Sequence, residues 1–110
     1  MKGRKVVRQY KAGKRDFSRV RLRKADLEGA DLQDINLSWS YLGGANLHDT
    51  NLTGAKLTGC DLIEANLCDA TLEEADLQGA NLYKANVTSE QLARAKSVKG
   101  AILPDGDRHS

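Results

Sequence analysis

An apolar residue, almost always Leu, recurs at every fifth position of this chain from Phe17 to Val87 without interruption. The residue two positions earlier is small and most often Ala, and the one between them is most often Asp or Asn. Five residues rotate an α-helix by about 500°, so a helix would scatter these side chains around its axis. A β-strand would send successive leucines to opposite faces, because its period is two. The spacing therefore requires a turn in every repeat.

A chain that turns in the same way every five residues coils into a solenoid. The apolar residue and the small residue two positions before it both point inward. Only five residues are aromatic, so Leu and Ala must build the core. The preference for Ala indicates a narrow interior, in which a larger side chain would collide with the opposite wall.

The segments ADLEG, ADLQD, ANLHD, AKLTG, ANLCD, ADLQG and ANLYK resemble the A(D/N)LXX consensus of the pentapeptide-repeat family. The resemblance covers residues 15–89. It implies an all-β solenoid, a right-handed quadrilateral β-helix in which four pentapeptides form one square coil. The chain would then make about four coils, and residue n would lie beside residue n+20. The terminal segments YKAGKRDF and GAILPDG are similar to those of cyanobacterial members, including a regulator of heterocyst differentiation.

A stack this short exposes unpaired backbone at both open ends, so each end needs a cap. Residues 1–14 are predicted to form a basic N-terminal cap with a short helix over 3–12. Val6, Val7 and Tyr10 supply the apolar stripe of that helix, with Gly13 as its stop.

The C-terminal cap is predicted over residues 90–106. Thr88 and Gln91 have the spacing of a capping box at the start of a short helix. The segment AKSVKGAIL is expected to resume an irregular rung, one residue out of phase with the repeat. The tail 107–110 is expected to fray.

The two parts of the chain carry opposite charge. Residues 1–24 contain eleven Lys or Arg and one Asp, whereas residues 25–90 contain twelve Asp or Glu and two Lys. The formal net charge is nevertheless only +2. Such an asymmetry concerns partners and association rather than fold.

The pattern predicts neither catalysis nor a bound cofactor, because an enzyme needs a concave site with converging polar groups. A column of Glu28, His48 and Cys68 on successive coils would need a fourth ligand to hold a metal, so no metal site is predicted. Cys60 is assigned to the interior and Cys68 to the surface, and the two thiols should therefore not pair.

The scarce aromatic residues collect on one side of the predicted coil. The set termed the aromatic corner consists of Trp39, Tyr41, Ile63 and Tyr83, edged by Arg19, Arg21 and Arg23. Aromatic residues and Arg dominate the energetics of protein interfaces, so this set is the candidate partner-binding site. The alternative is a chance grouping of surface apolar residues, which every protein has.

These features favour a non-enzymatic interaction or regulatory module that presents side-chain ladders to a protein partner, as a monomer or an end-to-end dimer. The first alternative is a DNA-mimicking inhibitor or modulator of type II topoisomerase, an activity known in part of the family. The acidic body supports it, whereas the basic head and a stack only about 18 Å tall oppose it.

The second alternative is nucleic-acid binding through the basic residues 2–24, which the neighbouring acidic body opposes. No membrane association is predicted, since no run approaches 18 apolar residues. The basic start is not followed by an apolar segment, so it does not read as a signal peptide, and the expected location is cytoplasmic.

Overall fold

The computed structural model describes residues 1–110 as a four-sided solenoid with a helix at each end. Residue n pairs in parallel with residue n+20 throughout the repeat, from Asp16 with Asn36 to Asn66 with Asn86. The pairing residue is the one just before each Leu, and each side of a coil contributes this single bridged residue rather than an extended strand. The fold is the right-handed quadrilateral β-helix that the resemblance implied.

The four sides of the solenoid are numbered in chain order from the first coil. Face 1 contains residues 15–19, face 2 contains 20–24, face 3 contains 25–29 and face 4 contains 30–34, each with its equivalents on later coils. The N-terminal end of the stack is termed the lower end. With its caps the molecule measures 37 × 23 × 23 Å.

The interior is a ladder of Leu side chains lined by small residues. From Leu22 to Leu82 every repeat Leu is at most 2% exposed, and Phe17 begins the ladder. Two small positions carry buried hydroxyls. Ser40 donates to the Phe17 carbonyl at 3.0 Å and accepts the Val20 N–H at 3.1 Å, whereas Thr50 donates to the Leu47 carbonyl of the preceding repeat at 2.8 Å. Both hydroxyls are therefore satisfied inside the wall.

Every repeat turns in the same way. From Ala25 to Ala85 the N–H of each small residue donates to the carbonyl of the preceding Leu, as from Ala25 to Leu22 at 3.0 Å, whereas the Val20 N–H donates to the Ser40 hydroxyl instead. The residue just before the small one has a φ near +60°, for example 61° at Asp34 and 70° at Gly54. A positive φ at the third residue of a four-residue turn is typical of type II, which explains why Gly is frequent there.

The Asp or Asn before each Leu closes the turn that follows. In ten repeats its Oδ1 accepts the backbone N–H two residues later, at 3.0–3.3 Å. This Asx turn is a local reason for the Asp and Asn of the repeat. The neighbours of this Asp or Asn on both sides point inward because successive residues of the extended segment alternate in direction.

Helix α1 (Gly3–Lys11) closes the lower end, as predicted. Val6 is fully buried, and Val7 and Tyr10 pack against the core. The helix ends just before Gly13, whose φ of 107° is accessible to glycine.

Helix α2 (Ser89–Ala93) takes the place of a fourth rung on face 4. Thr88 and Gln91 form the predicted capping box. Gln91 also donates to the carbonyls of Leu67 and Ala70, at 2.8 and 2.9 Å, and so fastens the helix to the coil below.

The coil resumes after α2, one residue out of phase, as expected. Ser97 pairs with Asp76 and Ile102 with Asn81. The helix thus inserts one extra residue without ending the solenoid.

The expectation that the tail 107–110 frays is wrong. The chain turns after Leu103, and Arg108 pairs antiparallel with Ile102. His109 donates to the Ala101 carbonyl at 2.8 Å and its own carbonyl accepts the Gly100 N–H at 2.9 Å. The last rung would otherwise expose unpaired backbone groups, and the tail covers them.

Leu57→Ala is expected to lower the free energy of unfolding by about 2–5 kcal/mol, because it leaves a cavity in a fully buried site. Its neighbour Lys56 is exposed and makes no side-chain bond, so Lys56→Ala should change stability by less than about 0.5 kcal/mol. Urea denaturation of both variants measures the difference. Equal losses would contradict the assignment of inward and outward positions.

Asn36→Ala is expected to cost about 1 kcal/mol, because it removes the hydrogen bond from the Ser38 N–H to Asn36 Oδ1. Thr71 occupies the same repeat position without such a bond, and Thr71→Ala is the matched control. Thermal melts of the two variants should therefore separate, with the Asn36 variant less stable. Identical melting temperatures would show that the Asx bond is not stabilising.

Candidate functional site

The exposed large hydrophobic side chains all lie on one side of the molecule. They are Met1, Trp39, Tyr41 and Tyr83, with exposed fractions of 44%, 52%, 48% and 41%. Tyr41 and Tyr83 project from face 2, and Trp39 stands at its edge with face 1. The Met1 amino group donates to the Arg21 carbonyl of the same face at 2.7 Å. The side with most of the aromatic corner therefore also carries the N-terminus.

Trp39 stands in an unusual backbone conformation, with a φ of 61°. The left-handed region costs a residue with a side chain about 1–2 kcal/mol relative to the right-handed one. The Trp39 ring lies against Gly59 on the next coil, where any side chain would collide with it. Because Gly59 has no side chain, the Trp39 indole can pack against its backbone, and about half of the indole remains exposed.

Two of the three edge arginines contact their neighbours on face 2. The Arg21 guanidinium lies 5.9 Å from the centre of the Tyr41 ring. Arg23 passes over Gly43 and reaches a carboxylate oxygen of Asp61 at 3.9 Å. Gly43 and Asp61 were not among the predicted site residues, although the n+20 register already placed them in these columns.

Arg19, Ile63 and Tyr83 complete the aromatic corner, and none of them forms an ion pair with another residue of the corner. Arg19 lies one coil below Trp39 and forms no ion pair. Ile63 is half-buried between Gly43 and Tyr83 in their column. The Tyr83 ring faces the turn at Gly106 and lies 5.3 Å from the Lys84 ammonium.

The two cysteines differ as the sequence indicated. Cys60 is 1% exposed and its thiol donates to the Leu37 carbonyl at 2.7 Å. Burial raises the pKa of Cys60 to about 12. Cys68 is half-buried on face 3, and partial desolvation together with the carboxylates of Asp69 and Asp49 raises the pKa of its thiol.

Most acidic residues lie on faces 3 and 4, away from the aromatic corner. Between residues 25 and 93 these two faces contain no Lys or Arg. Their carboxylates are Asp26, Glu28, Asp31, Asp34, Asp49, Asp69, Glu73, Glu74 and Glu90. The surface is therefore divided into an aromatic side, an acidic side and a basic lower end.

A model of pentapeptide repeats matches the chain in eight copies, over residues 16–38, 30–67 and 50–88. These segments overlap and cover more than half of the chain. The chain therefore belongs to the pentapeptide-repeat family.

Solved structures agree with this assignment. A pentapeptide repeat protein from the thylakoid lumen of Arabidopsis thaliana is 29% identical, with a TM-score of 0.73, over 87% of this chain and 66% of that one. HetL, a pentapeptide repeat protein involved in heterocyst differentiation regulation from the cyanobacterium Nostoc sp. strain PCC 7120, is 40% identical, with a TM-score of 0.62, over 86% of this chain and 43% of that one. The chain thus spans just under two thirds of the first protein and less than half of the second.

QnrB1, a plasmid-mediated fluoroquinolone resistance protein, is only 21% identical, with a TM-score of 0.23 over 64% of this chain and 44% of that one. So weak a similarity carries no argument about function. No curated protein matches the chain significantly. Neither helix is long and apolar enough to cross a membrane.

The two thiols should differ strongly in their rate of alkylation. Cys68 is accessible from solvent, whereas Cys60 is buried and can react only after local unfolding of the coil exposes its thiol. Iodoacetamide followed by peptide mass spectrometry should detect modified Cys68 in the native protein and modified Cys60 only in denaturant. Rapid native labelling of Cys60 would contradict its inward assignment.

Proposed function

We propose that this protein is a non-enzymatic interaction module that binds a protein partner through the aromatic corner. The observation that carries the proposal is the placement of all the exposed large hydrophobic side chains on one side. Exposed aromatic residues next to Arg are the composition of interface hot spots. None of them is needed for the core, so folding alone does not account for their grouping.

The contacts beneath Trp39 and Arg23 support the same proposal. The Trp39 ring rests on Gly59, and Arg23 is placed between Gly43 and Asp61. A site whose side chains are already ordered loses little conformational entropy on binding. The edge arginines add a positive rim, so the preferred partner surface combines apolar pockets with carboxylates.

A regulatory role is supported by the similarity to HetL, which is itself involved in the regulation of heterocyst differentiation. The similarity covers less than half of HetL, and the identity of the partner does not follow from it. We place the module in a reducing compartment such as the cytoplasm, since its two cysteines are free.

The topoisomerase alternative is less well supported by the distribution of charge. A DNA mimic needs carboxylates that continue from coil to coil, whereas on the acidic faces 3 and 4 only Asp49 and Asp69 occupy the same position on successive coils. Binding of nucleic acid through residues 2–24 is opposed by the acidic residues beside that segment. Asp26 and Glu28 line the same groove as Arg4, Arg8 and Lys11.

Site-specific photocrosslinking tests the proposed interface. A benzophenone amino acid in place of Tyr41 should crosslink a protein partner in lysate of the source organism. The same probe in place of Glu73, an exposed residue of face 4, is the matched control. Crosslinking from the Glu73 position but not from the Tyr41 position would show that the partner binds the acidic side rather than the aromatic corner.

With the crosslinked partner in hand, the double variant Trp39→Ala, Tyr83→Ala should lose binding energy while its melting temperature stays unchanged. The expected loss is about 2 kcal/mol or more for each residue that acts as a hot spot. The control is Asp34→Ala, Glu73→Ala, at the equivalent repeat positions of face 4. Calorimetric titration measures both, and undiminished affinity of the aromatic variant would overturn the proposal.

A further inference from the structure

Three side chains of different metal-ligating types meet on face 3. A ring nitrogen of His48, the sulfur of Cys68 and a carboxylate oxygen of Asp69 lie within 4.8 Å of one another. His48 and Cys68 occupy the same position on successive coils, and Asp69 follows Cys68 at the edge of face 4. We propose that these residues form a Zn²⁺ site with three protein ligands and one open coordination position.

The distances suit a tetrahedral ion. Bonds of about 2.0–2.3 Å place neighbouring ligand atoms of a tetrahedral zinc site about 3.3–3.8 Å apart. His48 Nε2 and Asp69 Oδ2 are 3.6 Å apart. Small side-chain rotations bring the Cys68 sulfur to a similar distance, since the three ligand atoms already lie within 4.8 Å.

The other nitrogen of His48 has the surroundings of a zinc-bound imidazole. His48 Nδ1 lies 3.3 Å from a carboxylate oxygen of Asp49 and 3.9 Å from one of Glu28. Asn46 donates to Glu28 at 3.1 Å and so helps to position that carboxylate. A carboxylate on one ring nitrogen favours the tautomer that directs the lone pair of the other nitrogen toward a metal.

Local charge favours a divalent cation. The carboxylates of Glu28, Asp49 and Asp69 lie within 4 Å of His48 ring nitrogens, and none of them pairs with a Lys or Arg. Thiolate and imidazole ligands select zinc over magnesium or calcium, which prefer sites made entirely of oxygen. The ligand set therefore indicates zinc rather than a general cation-binding surface.

A cleft borders the proposed site at two of its three ligands. Cys68 and Asp69 line a cleft of about 310 Å³ between the coil and α2, which Thr88, Gln91 and Arg94 also line. A site with three protein ligands binds water or an incoming ligand at the fourth position. The ion would also join the second coil, which carries His48, to the third, which carries Cys68 and Asp69.

The column considered in the sequence contained Glu28, His48 and Cys68. In the proposed site Asp69 replaces Glu28 as the third protein ligand, and water fills the fourth position. Asp69 belongs to the adjacent column, and only the turn at the end of the repeat brings it beside His48. Glu28 lies instead near the other ring nitrogen of His48, Nδ1. The site shares no residue with the aromatic corner, so the metal site and the proposed interface can be tested independently of each other.

Cobalt titration of the full chain, reduced and freed of metal, tests the proposal. Co²⁺ should bind with a stoichiometry of one, giving a thiolate-to-cobalt charge-transfer band and the visible spectrum of tetrahedral cobalt. Zn²⁺ should displace it, whereas Mg²⁺ at the same concentration should not. The melting temperature should rise with Zn²⁺ concentration, since the ion binds the folded coils.

Variants separate the ligands from their surroundings. Cys68→Ser should abolish the charge-transfer band, and His48→Gln and Asp69→Asn should each weaken binding by at least about tenfold. Asp49→Asn should weaken it by about 10–100-fold while retaining the band, as expected for a residue that orients the imidazole. Cys60→Ala is the matched control, because Ala is the usual residue at that repeat position, and it should leave binding unchanged.

All the proposed ligands point outward, so the metal-free variants should keep the circular dichroism spectrum of the parent. Absence of the thiolate band in the parent protein would overturn the proposal. So would a band that persists in Cys68→Ser, or one that is lost in a folded Cys60→Ala variant.

Discussion

The narrow interior of the coil is the constraint on which the rest of the structure depends. Each face can send only two side chains inward, the repeat Leu and the small residue before it. The backbone must therefore turn every five residues, and the parallel pairing of successive coils keeps the turns aligned. The remaining three positions of each repeat face outward. They are constrained by the Asx bond and by the left-handed turn residue, but not by core packing, which leaves their chemistry available for function.

This separation explains why so much of the molecule follows from its sequence. A five-residue period fixes which side chains point inward, and the n+20 register fixes their neighbours along each column. The burial of Cys60 and the outward positions of Trp39 and Tyr41 follow directly. The capping box at α2 could also be predicted from the sequence, because it depends on two residues only three positions apart.

Two kinds of feature could not be predicted from the sequence: contacts between side chains of neighbouring columns, and the structure of the tail beyond the repeat. The register placed Gly59 above Trp39, but it does not fix the direction of a long side chain, so the reach of Arg23 to Asp61 in the neighbouring column was missed. Asp69 was missed for a related reason, since it approaches His48 from the adjacent column. The return of the tail onto Ile102 has no repeat signal at all and depends on unpaired backbone at the end of the stack.

The distribution of surface chemistry is the part that folding explains least. Asp49 and Asp69 repel each other because they occupy the same position on successive coils, and faces 3 and 4 contain no Lys or Arg between residues 25 and 93 to offset their charge. Exposed aromatic rings on face 2 likewise gain nothing from the core. The proposed Zn²⁺ site would reduce the charge repulsion on the acidic side, and the proposed protein partner would cover the aromatic rings. A rigid solenoid suits this division, because each face can change its partner without disturbing the Leu ladder behind it.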